Sequence, residues 1–161
     1  MAIPVYLWLK YDDGTDIKGS VDILQREGSI EVLELMHAVE VPVDSQTGKL
    51  IAKRIHCSYA FEKEVDASSP YLYKAVSSGQ TLKNAEFKFY CIDYGGQEKE
   101  YFRVTLENVK VISVEPFMHD IKNELFERHT HHEYVELSYE KIIWHYLGGN
   151  IVHSDTWNER A

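Results

Sequence analysis

The sequence predicts a mainly β protein, a closed or nearly closed antiparallel barrel with one short helix. Three observations carry that reading. Apolar residues recur at period two in seven to nine segments rich in Val, Ile, Tyr, Phe and Trp; one segment alone has convincing helical spacing; and strands and helices do not alternate as a parallel sheet requires. The 161 residues suit a single domain, 1–161, large enough to bury about 70% of the surface that the unfolded chain exposes.

In the first strand Ile3, Val5, Leu7 and Leu9 alternate with Pro4, Tyr6 and Trp8, so both faces are apolar and both need cover. A turn over Tyr11–Asp16 leads to a strand over Ile17–Ile23, then Arg26-Glu27-Gly28 leads to a long strand over Ile30–Val41. In that strand Leu33, Leu35, His37, Val39 and Val41 share one face. Glu34, Met36 and Ala38 share the other, which reads as solvent-exposed. Pro42–Arg54 carries turn formers and little periodicity, a long connection that reads equally as a segment with a function of its own or as a disordered hairpin tip. Ile55, Cys57, Tyr59, Phe61 and Val65 alternate in the next strand.

The helix is predicted over Ser69–Ser78, with Ser68 or Ser69 as N-cap, Pro70 in the first turn, Leu72, Ala75 and Val76 on the inner face and Gly79 as the stop. Strands resume at Glu86–Ile92 and, after the turn Asp93-Tyr94-Gly95-Gly96, at Tyr101–Val114. The apolar phase of Phe102, Val104 and Leu106 shifts to Val109, Val111 and Ile112 near Asn108, which predicts a bulge or a bend onto a second sheet. Pro116–Glu127 reads as a crossover, with a helical turn in Asp120–Arg128. Val135, Leu137, Tyr139, Lys141 and Ile143 then keep one face of a further strand, and the tail from Ile151 begins as strand and ends polar.

Composition narrows the function. With 17 basic against 26 acidic residues the formal charge is −9, which argues against binding nucleic acid or anionic lipid. The two cysteines, Cys57 and Cys91, form neither a CxxC nor a zinc spacing and read as free thiols. The N-terminal run MAIPVYLWLKYDDG shows neither a cleavable leader nor a membrane span. No glycine loop has the GxGxxG or GxxxxGK form, and no serine lies in GxSxG, so neither a nucleotide site nor a covalent nucleophile is indicated. His129, His131 and His132 stand within four residues, and a small barrel can gather such imidazoles into a metal centre. That gives an alternative, a histidine-liganded β-barrel metalloprotein. A strand histidine is more commonly a packed or surface residue, and no carboxylate stands at a ligand spacing with His129 and His131; no cofactor or metal is therefore expected.

Several segments together resemble the haemolysin-coregulated protein (Hcp) family, the tail-tube proteins of bacterial type VI secretion systems. They are PVYLWLK with DIKGSV (4–10, 16–21), REGSIEV (26–32), SSPYLYKAVSSGQTLKNAEFKFY (68–90), YFRVTLENVKVISV (101–114) and HTHHEYVELSYEKIIWHY (129–146), in order along nearly the whole chain. The resemblance implies a barrel of two sheets with a flanking helix that closes into a homo-hexameric ring. Rings stack into a hollow tube, with a contractile sheath, a spike protein and effector proteins as partners. It implies a structural protein rather than an enzyme, made in the cytoplasm and secreted without a cleaved leader, with the lumen as an effector receptor. Because the sequence stops at Ala161, no appended toxin domain is expected. By the same resemblance Asp44, Ser45, Gln46, Thr47, Gly48, Lys49, Leu50, Lys53 and Arg54 form a ring-stacking loop, Glu34, Met36 and Ala38 face the lumen, and Tyr6 and Trp8 enter the subunit interface. Six chains at −9 each carry −54, so stacking needs local charge complementarity, with Lys49, Lys53 and Arg54 expected to meet acidic groups on the next ring.

Overall fold

The computed structural model describes residues 3–158. Among them the elements run β1 (Val5–Tyr11), β2 (Asp16–Ile17), β3 (Ile30–Val32), β4 (Glu34–Met36), β5 (Val39–Glu40), β6 (Ile55–His56), β7 (Tyr59–Glu64), α1 (Ser69–Ser78), β8 (Thr81–Ile92), β9 (Glu98–Phe117), a 3-10 turn at Glu124–Phe126, β10 (His132–Ser138), β11 (Lys141–Tyr146) and β12 (Ile151–Thr156). Strands β1, β8, β9, β10, β7 and β4 are hydrogen-bonded neighbours in that order, all antiparallel, and β3 pairs back onto β1. The segment 30–36 closes the barrel: Val32 lies opposite Val5, and two residues later Glu34 lies opposite Glu62. Closure removes the exposed edges that an open sheet would present.

Inward side chains fill the interior, among them Leu7, Leu9, Phe61, Phe87, Leu106 and Leu137, all fully or almost fully buried. Phe87 packs on Tyr59 and Phe61 with ring centroids 4.6 and 5.5 Å away. Strand β9 is long enough to serve two neighbours, β11 along its first half and β10 along its second. Between the halves Asn108 takes a left-handed φ of 50° and donates from Nδ2 to Glu140 Oε2 at 2.7 Å. The buried positions step there from Val104 and Leu106 to Val109 and Val111, the phase shift that the sequence predicts.

The helix has the predicted bounds, with Leu72 and Ala75 buried. Gly79 ends it at φ 69°, a conformation that costs glycine no Cβ clash, and its N–H returns to the Ala75 carbonyl. Ser68 is the N-cap residue, but its hydroxyl donates to Asp66 and not to the helix. A buried ion pair fixes α1 to the barrel. Lys63 and Glu133 lie directly opposite on β7 and β10, both at inward positions and both fully buried. Lys63 Nζ donates to Glu133 Oε1 at 2.5 Å and to the Glu64 carbonyl at 2.9 Å, and lies 3.1 Å from Asp66 Oδ1. Ser69, in the first turn of α1, donates to the same Glu133 oxygen at 2.7 Å.

Four sequence expectations are corrected. The strand over Ile17–Ile23 ends at Ile17; beyond it the chain folds back on itself, with Gly19 N–H on the Gly28 carbonyl and Gly28 N–H on the Val21 carbonyl. A Cβ at Gly19 would lie 2.4 Å from the Ser29 carbonyl oxygen, so the fold-back needs glycine there. The long strand over Ile30–Val41 is three short ones, because the segment changes partners from β1 to β7 at Leu33; Leu33 itself is left exposed, while Leu35 and His37 turn inward. The strand over Ile55–Val65 is interrupted at Cys57, whose N–H goes to the Ala38 carbonyl, so that His56 and Tyr59 are both inward. Finally, the run from Val135 to Ile143 is two strands whose inward phase moves from Val135, Leu137 and Tyr139 to Ile142. The polar tail from 159 to 161 lies outside the described residues.

Candidate assembly surfaces

The segment 39–56 forms an arm, a hairpin attached to the barrel through the small sheet β5–β6, where Val39 pairs with His56 and Glu40 with Ile55. Its tip is built rather than loose. Asp44 Oδ1 accepts the N–H groups of Gln46 and Thr47 at 2.9 and 2.8 Å and the Thr47 hydroxyl at 3.1 Å; these bonds hold the Asp44 carboxyl below its usual range. Asp44 N–H returns to the Lys49 carbonyl, Gly48 turns the chain at φ 70°, and Val43 bridges Leu50. Along this ordered hairpin Val39, Val41, Val43, Leu50, Ile51 and Ile55 are all exposed, Leu50 at 71% and Ile51 at 67%. Ser45, Gln46, Thr47, Lys49 and Lys53 are also exposed. Single exposed apolar residues need no explanation, but a row of six on one projection is the mark of a contact surface.

A chain of polar groups that the sequence does not reveal secures the root of the arm. Arg54 donates from Nε and Nη2 to the two carboxylate oxygens of Asp155 on β12, at 2.5 and 2.8 Å. Asp155 Oδ2 meets His56 Nε2 at 2.8 Å, His56 Nδ1 meets the Tyr139 hydroxyl at 2.8 Å, and the same hydroxyl meets His37 Nε2 at 2.8 Å. Trp157 stacks on His56 with centroids 5.7 Å apart. The bidentate guanidinium, with the His56 bond, holds Asp155 down at about 2, and burial together with the neighbouring His56 holds His37 below the usual imidazole range. Arg54, expected in the stacking set with Lys49 and Lys53, is therefore engaged with β12 of its own subunit. The participants stand about a hundred residues apart, and no linear motif joins them. The available signal is that His37 and Tyr139 occupy apolar faces of the predicted strands.

The other expected sites are placed as follows. Glu34, Met36 and Ala38 are all exposed, with Met36 at 63%. Trp8 is half-buried beneath the Lys88 ammonium, 4.5 Å from its ring. Tyr6 is only 4% exposed in the single chain, because Tyr90 packs edge-on against it and the Arg26 guanidinium, ion-paired with Glu98, lies over both rings. The cover that the outer face of β1 needs thus comes, at Tyr6, from its own chain. His132 bonds Glu62 at 2.7 Å, and His129 packs against His119 and Phe126. Among the described residues no three His, Cys, Asp or Glu side chains are grouped to hold a metal ion. No helix there is long and apolar enough to cross a membrane.

Residues 6–146 match the family described as type VI secretion system effector, Hcp. The chain belongs to the Hcp family. It is similar to the major exported protein of Pseudomonas aeruginosa, 29% identical over 98% of this chain and 96% of that protein. Among solved structures it resembles a mutant form of the Hcp1 protein of E. coli EAEC 042, with 61% identity, a TM-score of 0.88 and coverage of 97% of this chain and 99% of that one. The secreted protein Hcp3 of Pseudomonas aeruginosa shares the fold at 23% identity, with a TM-score of 0.80 over 98% of this chain and 100% of that one. The mainly β architecture with one helix is thus that of Hcp proteins.

Proposed function

We propose that this Hcp protein is a structural subunit of a type VI secretion tube: six copies close into a ring, rings stack through the arm, and the tube is exported with its effectors by a sheath and spike. The arm carries this reading. It is held rigid by its own hydrogen bonds and clamped at its root, yet its apolar row Val39, Val41, Val43, Leu50, Ile51 and Ile55 is left exposed among the described residues. Asp44, Ser45, Gln46, Thr47, Gly48, Lys49, Leu50 and Lys53 supply the stacking contact, with Lys49 and Lys53 set against acid on the next ring, while Trp8 enters the contact between subunits. A surface that repeats head to tail and closes under rotation gives a ring. The role needs no cofactor and no catalytic group.

Electron microscopy of the purified protein tests this: annular particles with an open centre are expected, and solid particles of single-chain size would contradict it. The exposed face of Glu34, Met36 and Ala38 lines the lumen in this reading, where Met36 offers an adaptable apolar contact to small effectors. Met36→Glu should abolish protection of a co-expressed effector from proteolysis while rings persist. Undiminished protection would remove the receptor role alone.

A further inference from the structure

The hydrogen bonds at the root of the arm have only one consistent direction while both imidazoles are neutral. The Asp155 carboxylate can only accept, so His56 Nε2 must donate to it. His56 Nδ1 then has to accept the Tyr139 O–H, and the Tyr139 oxygen in turn accepts from His37 Nε2. Four elements are joined by this run: the segment before β5, β6, the β10–β11 turn and β12. It is where the arm meets the rest of the subunit.

Two added protons undo this order. A single proton is accommodated: on His37 Nδ1 it leaves every bond of the run in place, since Nε2 still donates to Tyr139. With both imidazoles protonated, two cationic donors face one phenol oxygen and the buried Tyr139 hydroxyl hydrogen is left without its acceptor. The surroundings do not compensate. His37 faces the Tyr59 ring at 4.9 Å and Trp144 at 6.5 Å, and Trp144 stacks in turn on His153. His56 faces Trp157, and Cys57 lies near Tyr139. Asp155 is the one carboxylate bonded to the run among the described residues, and Arg54 already balances its charge.

We propose that this run is a proton-operated clasp, which holds the arm to the C-terminal strand at neutral pH and releases it on acidification. The proposal rests on the arm being the stacking element, and it adds a regulation: rings stack when the clasp is closed and lose arm order when it opens. The sign follows from His37. Its folded-state affinity for protons is lowered by burial and by His56, so the clasp is at full strength above the ordinary imidazole value of 6.5 and weakens as pH falls through it.

Hydrogen exchange of unstacked protein, with labelling times scaled for intrinsic exchange, tests the clasp. Between about pH 7.5 and about pH 5.5 the protection of residues 39–56 should fall about tenfold, while that of the β8–β9 hairpin holds. In His37→Gln, which keeps a donor for Tyr139 but does not titrate in this range, protection should stay level. A level wild-type profile, or an equal fall in His37→Gln, overturns the proposal. If His37→Gln fails to fold, Tyr139→Phe decides: the arm should exchange about tenfold faster already at neutral pH, and retained protection refutes the clasp. Particle mass recorded in the same samples keeps the two ideas apart, since a single-chain mass sinks the ring, whereas rings with a pH-indifferent arm sink only the clasp.

Discussion

Lys63→Met is expected to lower the stability of the fold by about 3–5 kcal/mol, the cost of leaving a buried charge without its partner. The substitution keeps most of the side-chain volume, so the loss would be electrostatic rather than a cavity effect. Glu133 would keep the Ser69 hydroxyl but lose its cation, and its Oε2 already makes no hydrogen bond among the described residues. Lys63 also bonds the Glu64 carbonyl and lies beside Asp66, so the turn entering α1 would loosen with it. At about 2–4 °C per kcal/mol for a domain of this size, calorimetry should find Tm lowered by roughly 6–20 °C. Protein concentration must be held fixed, because association adds its own stabilisation. Adding Glu133→Leu should restore much of the loss, since two apolar side chains can replace a buried pair at little net cost. A Lys63→Met protein within about 0.5 kcal/mol of the parent would show that the pair is not the anchor described.

Leu50→Asp combined with Ile51→Asp is expected to abolish stacking while leaving rings intact. Both side chains are largely exposed in the single chain, so the substitution should change subunit stability by no more than about 0.5 kcal/mol. At a ring-to-ring seam each would carry a desolvated carboxylate into an apolar contact, at a cost of several kcal/mol per subunit. That cost is repeated six times around a ring, so the effect on stacks is cooperative. Light scattering against protein concentration should show higher-order growth in the parent and a single ring-sized species in the variant. Stacks that persist in the variant would place the seam elsewhere on the molecule.

The elements that the sequence discloses are those whose pattern is set within the element. The helix Ser69–Ser78 carries its own proline, apolar face and glycine stop, and the kink of β9 shows as a phase shift around Asn108. Breaks set by a change of partner are not legible. Nothing between Ile30 and Val41 signals that Val32 pairs with β1 while Glu34 pairs with β7. Of the site, the arm shows as a long connection with turn formers, but its root does not, because His37, His56, Tyr139 and Asp155 meet only in three dimensions. Tyr6 is half-legible for a related reason: its alternation demands cover, and alternation alone does not show that Arg26 of the same chain lies over it. Lys63 and Glu133 are the readable clue left unread, two opposite charges at inward positions of neighbouring strands.

Native mass measurement of the purified protein across a range of concentrations tests self-assembly most directly. The account predicts a species of six times 18.7 kDa that persists on dilution, with whole multiples of it at higher concentration. A particle of 18.7 kDa at every concentration would contradict it.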